Sequence, residues 1–445
     1  MSPTSLTVSP PDYSLLTDLY QLTMGACYVG EGIAEKPASF ELFVRRLPDS
    51  YGYLITMGLA QALEYLEQLH FSRSHLEQLQ QTGIFDNAPD EFWSLLEGKV
   101  FTGEVWAIPE GTAVFPHEPF LRVEAPLWQA QLVETYLLNT INYQSLIATK
   151  AARMRDIAGE TATLLEFGTR RAFSPQASLW AARASLASGF DATSNVLAAL
   201  QLGEKPSGTM AHSLVMAIGM GKEGEEEAFT AFSRYFPTSP LLIDTYNPIE
   251  AAKRLKEAIE AGKREVTGVR IDSGNLTELS QKVRSLLPDV AIFASGDLDE
   301  WEIQRLLATG GIIDGYGIGT KLVTGQPING VYKLVEIDGV ATRKQSTSKE
   351  TYPGRKQVFR RWEGGKIQHD RLGLMTESPQ KEETPLLQLV MKQGTTIQPT
   401  PSLKMLRDRT RESTLSLPDA VRQIDHPETI SVQISDQLQH LIHND

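Results

Sequence analysis

Between residues 163 and 320 a short apolar run, a polar or glycine-rich turn and a helical pattern recur, and this repeat restricts the fold more than any other feature of the chain. The runs are TLLEF ahead of Gly168, GTMA ahead of His212, PLLID ending at Asp244, VTGVRID ending at Asp272, VAIFAS ahead of Gly296 and IIDGYGIG ending at Gly319. Helical spacing fills most of the gaps, at 248–261, 276–287 and 298–309. Strands that alternate with helices are parallel strands, because each helical crossover returns the chain to the same end of the sheet. Six such units predict an α/β barrel more readily than an open sheet. In such a barrel the C-terminal strand ends form one face, so residues scattered over the sequence converge on one mouth.

The residues at those ends suit an anion or a sugar: Arg170, His212, Asp244, Arg270 with Asp272, Asp297, and Gly319 with Thr320. In VRIDSGN, Arg270 and Asp272 stand two apart on a strand and so face the same way. A guanidinium there can fork onto a planar carboxylate while the Asp accepts from a ribose hydroxyl. An internal Arg–Asp ion pair would use the same two residues, and the sequence leaves both readings open. In FASGDLDE, Ser295 and Gly296 free a turn that points Asp297 into the same mouth. GYGIGTKLVT places Gly315, Gly317 and Gly319 where backbone N–H groups could approach a phosphate, with the Thr320 hydroxyl next to them. Ordinary strand-to-loop turns use glycine in the same way. A lone histidine such as His212 is more often a hydrogen-bonded structural residue than a catalyst. The paired cations Arg45–Arg46 and Arg170–Arg171, and those around Lys333, read as solvated faces or as a cradle for pyrophosphate.

Outside the repeat, Asp12 and Ser14 are placed to cap a helix over 15–22, and helical patterns cover 53–69, 128–142 and 143–157. Residues 100–124 switch to short alternating stretches between Pro and Gly turns, a small β region. Past Lys333 the chain carries the cluster RKQSTSKETYPGRKQ and then a mixed region. The expected division is an N-terminal α/β domain (1–125) completed by the C-terminal part (331–445), with the barrel between them (126–330). At 445 residues the chain is too long for one ordinary core. Its net charge of −13 argues against a nucleic-acid or anionic-membrane partner, though not against a phosphate held in a local basic pocket. Cys27 is the sole cysteine, which excludes an internal disulfide and a cysteine metal cluster. The opening residues lack the apolar core of a signal peptide, and no apolar run nears the roughly 20 residues that cross a bilayer, so a cytoplasmic protein is expected. No GxxxxGK[ST] loop, no GxGxxG near the N-terminus and no HExxH occurs, so ATP, if used, is bound in another way.

Taken together, TDLYQLTM (17–24), FELFVRRLP (40–48), VWAIPEGT (105–112), LLNTINYQSLIATKAAR (137–153) and EFGTRRA (166–172) resemble nicotinate phosphoribosyltransferases. GFDATSNVLA (189–198), SGTMAHS (207–213), VRIDSGN, ASGDLDE (294–300), GIGTKLVT (317–324), GVYKLVEIDG (330–339) and PGRKQVFR (353–360) extend the resemblance in order. The first dozen residues and the part after about Met375 fall outside it. The resemblance implies an incomplete α/β barrel of the type II phosphoribosyltransferase kind, joined to an α/β domain made by both chain ends. It also implies a homodimer with shared sites. The implied reaction is nicotinate plus phosphoribosyl pyrophosphate giving nicotinate mononucleotide and pyrophosphate, with Mg²⁺ held through the pyrophosphate and ATP as co-substrate. By position, Tyr20 would stack on the pyridine ring from a neighbouring subunit and Phe167 would cover its other face. Arg270, Thr209 and Arg170 would meet nicotinate. Arg45, Arg46, Gly296, Gly317, Gly319 and Thr320 would hold phosphoribosyl pyrophosphate, with Arg170 also turned to its phosphates. Asp272 and Asp297 would serve the sugar, and His212 would be the residue phosphorylated by ATP.

Two other functions fit parts of this pattern. A nicotinamide-specific relative would need an acceptor for the amide NH₂, and no Asp occurs in 167–173 to supply one. A non-catalytic nicotinate or phosphosugar sensor would keep the barrel and bind without releasing pyrophosphate.

Overall fold

The computed structural model describes residues 6–98, 100–345 and 351–444. The middle of the cluster RKQSTSKETYPGRKQ, residues 346–350, lies outside the described residues. The chain divides into two compact units, residues 147–326 and residues 1–146 with 327–445. The division therefore falls some twenty residues beyond the expected 125/126 boundary. The reason is the helix Leu127–Leu132, which is buried throughout and packs on the strands Pro37–Phe43 and Leu121–Pro126 of the chain-end unit.

The chain-end unit is built on a seven-stranded antiparallel sheet in the order Val340–Ala341, Val331–Ile337, Pro37–Phe43, Leu121–Pro126, Glu104–Ala107, Gln388–Lys392, Thr395–Thr396. Pro37–Phe43 is buried at every position after the first and is paired on both sides, to Val331–Ile337 and to Leu121–Pro126. A four-stranded sheet orders Glu383–Pro385, Lys356–Glu363, Lys366–Leu374 and Val432–Ile434. Charged side chains deep in this unit tie N-terminal to C-terminal segments. Glu41 and Lys356 pair at 2.9 Å with both side chains buried. Arg360 bonds Asp370 at 2.6 Å and the Ala113 carbonyl at 2.8 Å. Glu118 lies in the same buried group. Burial, and then the negative charge of Asp370, push its carboxyl well above the usual range, Arg360 pulling the other way. A carboxyl whose folded value is raised gives stability that is complete below its unfolded value of about 4.3 and is lost as pH rises toward the folded value, at about 1.4 kcal/mol per pH unit. Denaturation midpoints measured between pH 5.5 and 8.5 are therefore expected to fall less steeply in Glu118→Gln than in the wild type. Parallel slopes would exclude a neutral Glu118.

The middle unit carries six parallel strands in the order Ala192–Thr193, Thr163–Glu166, Gly315–Ile318, Ala291–Ser295, Gly268–Ile271, Leu241–Leu242. The two outer strands do not pair with each other, so the barrel is incomplete. Amphipathic helices Pro248–Glu260, Leu276–Leu286 and Glu300–Ala308 fill the crossovers, each started by an Asn or Asp side chain that accepts from a backbone N–H of the first turn.

Several local expectations change. GTMA is not a strand: Pro206 has no N–H to give, and the segment touches the sheet edge through Ser207 N donating to Thr193 O at 2.9 Å. The sixth strand is Ala192–Thr193 instead. The pattern over 53–69 splits into the strand Leu54–Ile55 and the helix Leu59–Gln68. The break is at Gly58, whose φ of +100° only glycine adopts easily and whose N–H donates to buried Glu110 at 2.7 Å. The first long helix is Leu19–Gly30, with Asp18 rather than Asp12 or Ser14 before it, since Pro10–Leu15 forms a 3₁₀ turn of its own. The break expected at 142/143 lies at Val133, and Glu134–Ala158 is one helix. Among the described residues no helix is long and apolar enough to cross a membrane.

Candidate functional site

A cleft of about 450 Å³ opens at the C-terminal strand ends of the middle unit. Six residues singled out from the sequence line it: Phe167, Arg170, Thr209, His212, Arg270 and Asp272. A larger cavity of about 550 Å³ in the chain-end unit is edged by Glu64, Glu67 and Arg409 and contains none of the residues singled out from the sequence. Volume does not mark the site here; convergent polar groups do.

Arg270 sits on the strand Gly268–Ile271 with its guanidinium carbon 5.9 Å from the centre of the Phe167 ring. Its Nη2 donates to the Met210 carbonyl at 2.8 Å, while its Nε–H is buried and has no acceptor among the described residues. Burial draws its pKa down, Asp272 and Asp244 push it back up, and Arg170 adds to the fall. It stays a cation at any physiological pH. Asp272 does not pair with it. Asp272 Oδ1 accepts from Ser295 Oγ at 2.5 Å, and its backbone N–H donates to Asp244 Oδ2 at 2.8 Å. The internal ion pair left open by the sequence is thus absent, and both groups keep capacity for a ligand.

Phe167 is held from below and behind. A Cβ on Gly317 would lie 2.4 Å from the Phe167 ring, and one on Gly319 would lie 3.2 Å from its carbonyl oxygen. These glycines therefore make room for the aromatic floor, which their sequence spacing did not reveal. Buried Glu166 accepts from Gly168 N and from Thr193 Oγ1 and so fixes the turn that follows its strand. Burial raises its pKa against the effect of those two bonds. Gly296, at φ +92°, brings its Cα against the Asp272 carbonyl, which a Cβ would meet at 2.3 Å. Asp297 follows it, exposed and at φ +46°.

His212 opens the helix His212–Gly219, and its Nδ1 lies 3.0 Å from Thr245 Oγ1. Which of the two donates depends on the tautomer. Nε2 has no hydrogen-bond partner among the described residues. Thr320 opens the short helix Thr320–Val323 and is exposed. Gly296, Asp297, Gly317, Gly319 and Thr320 are not among the residues that line the cleft. Tyr20, Arg45 and Arg46 belong to the chain-end unit and are not among the lining residues. Thr245 falls in none of the quoted motifs, and Glu166 and Ser295 fall in motifs that did not reveal their partners, Thr193 and Asp272. Among the described residues no three His, Cys, Asp or Glu side chains gather as a metal ligand set.

Three family models match the chain in succession. The nicotinate phosphoribosyltransferase (NAPRTase) N-terminal domain covers residues 15–142, the NAPRTase family 162–352 and the C-terminal domain 355–442. The last includes the stretch after Met375 that the motif resemblance did not reach. Nicotinate phosphoribosyltransferase pncB2 of Mycobacterium tuberculosis is 42% identical over 97% of this chain and 94% of its own length. The Bacillus subtilis nicotinate phosphoribosyltransferase is 45% identical over 78% of this chain and 73% of its own. The human nicotinic acid phosphoribosyltransferase structure superposes with a TM-score of 0.83 at 30% identity, covering 96% of this chain and 99% of that one. A nicotinate-nucleotide pyrophosphorylase structure from Pyrococcus furiosus (TM-score 0.75, 23% identity, 93% of this chain and 98% of that one) shares the fold. With matches that run nearly end to end at these identities, the chain belongs to the nicotinate phosphoribosyltransferase family.

Proposed function

We propose that this chain joins nicotinate to the ribose 5-phosphate of phosphoribosyl pyrophosphate, giving nicotinate mononucleotide and pyrophosphate. The observation that carries the reading is Arg270: a half-buried guanidinium with an unpaired buried N–H, lying over an aromatic ring at the cleft. A buried donor without an acceptor calls for an anion, and the ring beneath calls for a flat one. A carboxamide would instead present its own donors, so nicotinate is favoured over nicotinamide.

The pyridine nitrogen brings its own lone pair, so bond formation to C1 of the ribose needs no strong base. What remains is to align the ring with C1 and to neutralise pyrophosphate as the C1–O bond breaks. Phe167, Thr209 and Arg270 align the ring, with Tyr20 of a second copy closing over it in a homodimer. Asp272 and Asp297 support the cationic sugar. Arg45, Arg46 and Arg170, with the turns at Gly296 and Gly317–Thr320, take the phosphates. Asp272 and Asp297 would be the side chains to help hold Mg²⁺ arriving with pyrophosphate, since Mg²⁺ favours phosphates plus one or two carboxylates over an all-protein cage. When bound it would neutralise charge on the leaving group.

In this reading ATP acts through His212, whose Nε2 is unengaged and whose ring is oriented by Thr245. A phosphoryl group there adds a charge of about −1.5 to −2 beside the cationic side chains and reorders their contacts. A cytoplasmic place of action completes the reading. The test is mononucleotide formation by purified protein from nicotinate or nicotinamide, phosphoribosyl pyrophosphate and Mg²⁺, with and without ATP. Nicotinate is expected to be the preferred substrate, and ATP to stimulate. In His212→Asn, ATP-dependent protein phosphorylation and the stimulation are expected to vanish while slower ATP-independent transfer persists with an unchanged melting curve. A stable variant still stimulated by ATP would remove His212 from this role, and binding without pyrophosphate release would leave a sensor.

A further inference from the structure

Glu134, the first residue of the helix Glu134–Ala158, is buried to all but 8% and carries a carboxylate shared by donors from three segments. Its Oε2 accepts from Tyr20 Oη at 3.1 Å, Gln21 Nε2 at 2.8 Å and Gln131 Nε2 at 3.3 Å, and its Oε1 lies 3.7 Å from Lys333 Nζ. The two glutamines are buried and tied to each other, Gln131 Nε2 donating to Gln21 Oε1 at 2.5 Å. They fix the carboxylate from within. The other two partners face outward: the Tyr20 side chain is 47% exposed and that of Lys333 is 34% exposed. An internal network made only to hold the fold would have no reason to end in two accessible groups of opposite chemistry, a phenol and an ammonium.

We infer that Glu134 is the positioning residue of the pyridine site, orienting Tyr20 and enriching its ring for the charge that the substrate acquires. The inference rests on the reading that Tyr20 stacks on nicotinate. A phenol that donates to a carboxylate shifts electron density into its ring, which strengthens the face that attracts cations. The pyridine ring is neutral at its nitrogen before transfer and is a pyridinium afterwards, so this attraction grows along the reaction. It therefore speeds the step more than it tightens substrate binding. The same phenol is pushed up to about 12, first by its surroundings and then by the Glu134 charge, and so keeps the proton that it donates.

The experiment is steady-state kinetics of full-length Glu134→Gln, Tyr20→Phe and the double variant, with nicotinate and phosphoribosyl pyrophosphate varied separately and melting curves alongside. Each single variant is expected to lose roughly five- to twentyfold in kcat with a smaller change in nicotinate KM, the range of a cation–aromatic contact. The double variant is expected to be no worse than the weaker single one, because both remove one interaction. Tyr20→Phe alters a side chain at the surface and is expected to melt like the wild type, so the result stands even if Glu134→Gln folds poorly. Additive losses, or a silent Tyr20→Phe, would overturn the inference. Tyr20→Ala separates the two levels. If it is crippled while Tyr20→Phe and Glu134→Gln are silent, the function reading stands and this inference alone falls. If Tyr20→Ala itself leaves nicotinate kinetics unchanged, the stacking role is wrong and the inference falls with it.

Discussion

Arg270→Ala is expected to raise the KM for nicotinate about ten- to hundredfold, the worth of a charged hydrogen bond of roughly 1.5–3 kcal/mol, and to leave that for phosphoribosyl pyrophosphate nearly unchanged. The size follows from the environment of the group. Arg270 is already desolvated, with one bond to Met210 and a buried Nε–H unused, so a carboxylate arriving there gains a partner without removing much water from the protein side. Arg270→Lys should recover little, because an ammonium cannot reproduce the planar fork. Steady-state kinetics with each substrate varied in turn decide the matter. An unaltered nicotinate KM would move the carboxylate to another cation, with Arg170 at the same cleft the first alternative.

Arg360→Met is expected to lower the stability of the chain-end unit by about 3–5 kcal/mol, the cost of leaving a buried charge without its partner. Arg360 and Asp370 are both fully buried, and the guanidinium also serves the Ala113 carbonyl, which would be left unsatisfied. Glu118 next to them brings no positive charge to replace the guanidinium. Adding Asp370→Leu to Arg360→Met should return part of the loss, because apolar groups of similar volume replace a pair at little cost. Denaturant midpoints of the two variants test this. A single variant as stable as the wild type would show that the pair contributes nothing.

The parallel repeat was legible because each strand of the middle unit ends abruptly in a residue that differs in kind from the apolar run before it. VRIDSGN and FASGDLDE announce both a strand and its chemistry. GTMA did not: four residues with Pro206 and Ser207 just ahead could pass for a strand, while Ala192–Thr193, only two residues long, gives no period at all. Of the cleft residues, Arg170, His212, Arg270 and Asp272 could be named in advance from their places at or just past the ends of apolar runs, whereas Phe167 and Thr209 were named only through the family resemblance. Glu166 and Thr245 could not, because what makes them matter is a partner distant in sequence, Thr193 on the next strand for Glu166 and His212 at a helix start for Thr245. The chain-end unit was legible only as a β region and three helical stretches. Its sheet sets three N-terminal strands between two pairs of C-terminal ones, and no local pattern records that Phe43 will lie beside Val331.

That pairing sets a timetable for the ribosome. Pro37–Phe43 finds its partner Leu121–Pro126 early, but the strand for its other edge, Val331–Ile337, is made later. At about 5–20 residues per second, the roughly 290 residues between them take about fifteen seconds to a minute. Over that interval a strand destined to be buried on both faces displays an open, apolar edge, the kind of surface that recruits neighbouring chains or chaperones. The middle unit, being a continuous stretch from 147 to 326, can complete its own sheet during the wait. Nascent chains cut short before residue 331 should thus be the aggregation-prone species of this protein, with the half that houses the cleft already folded.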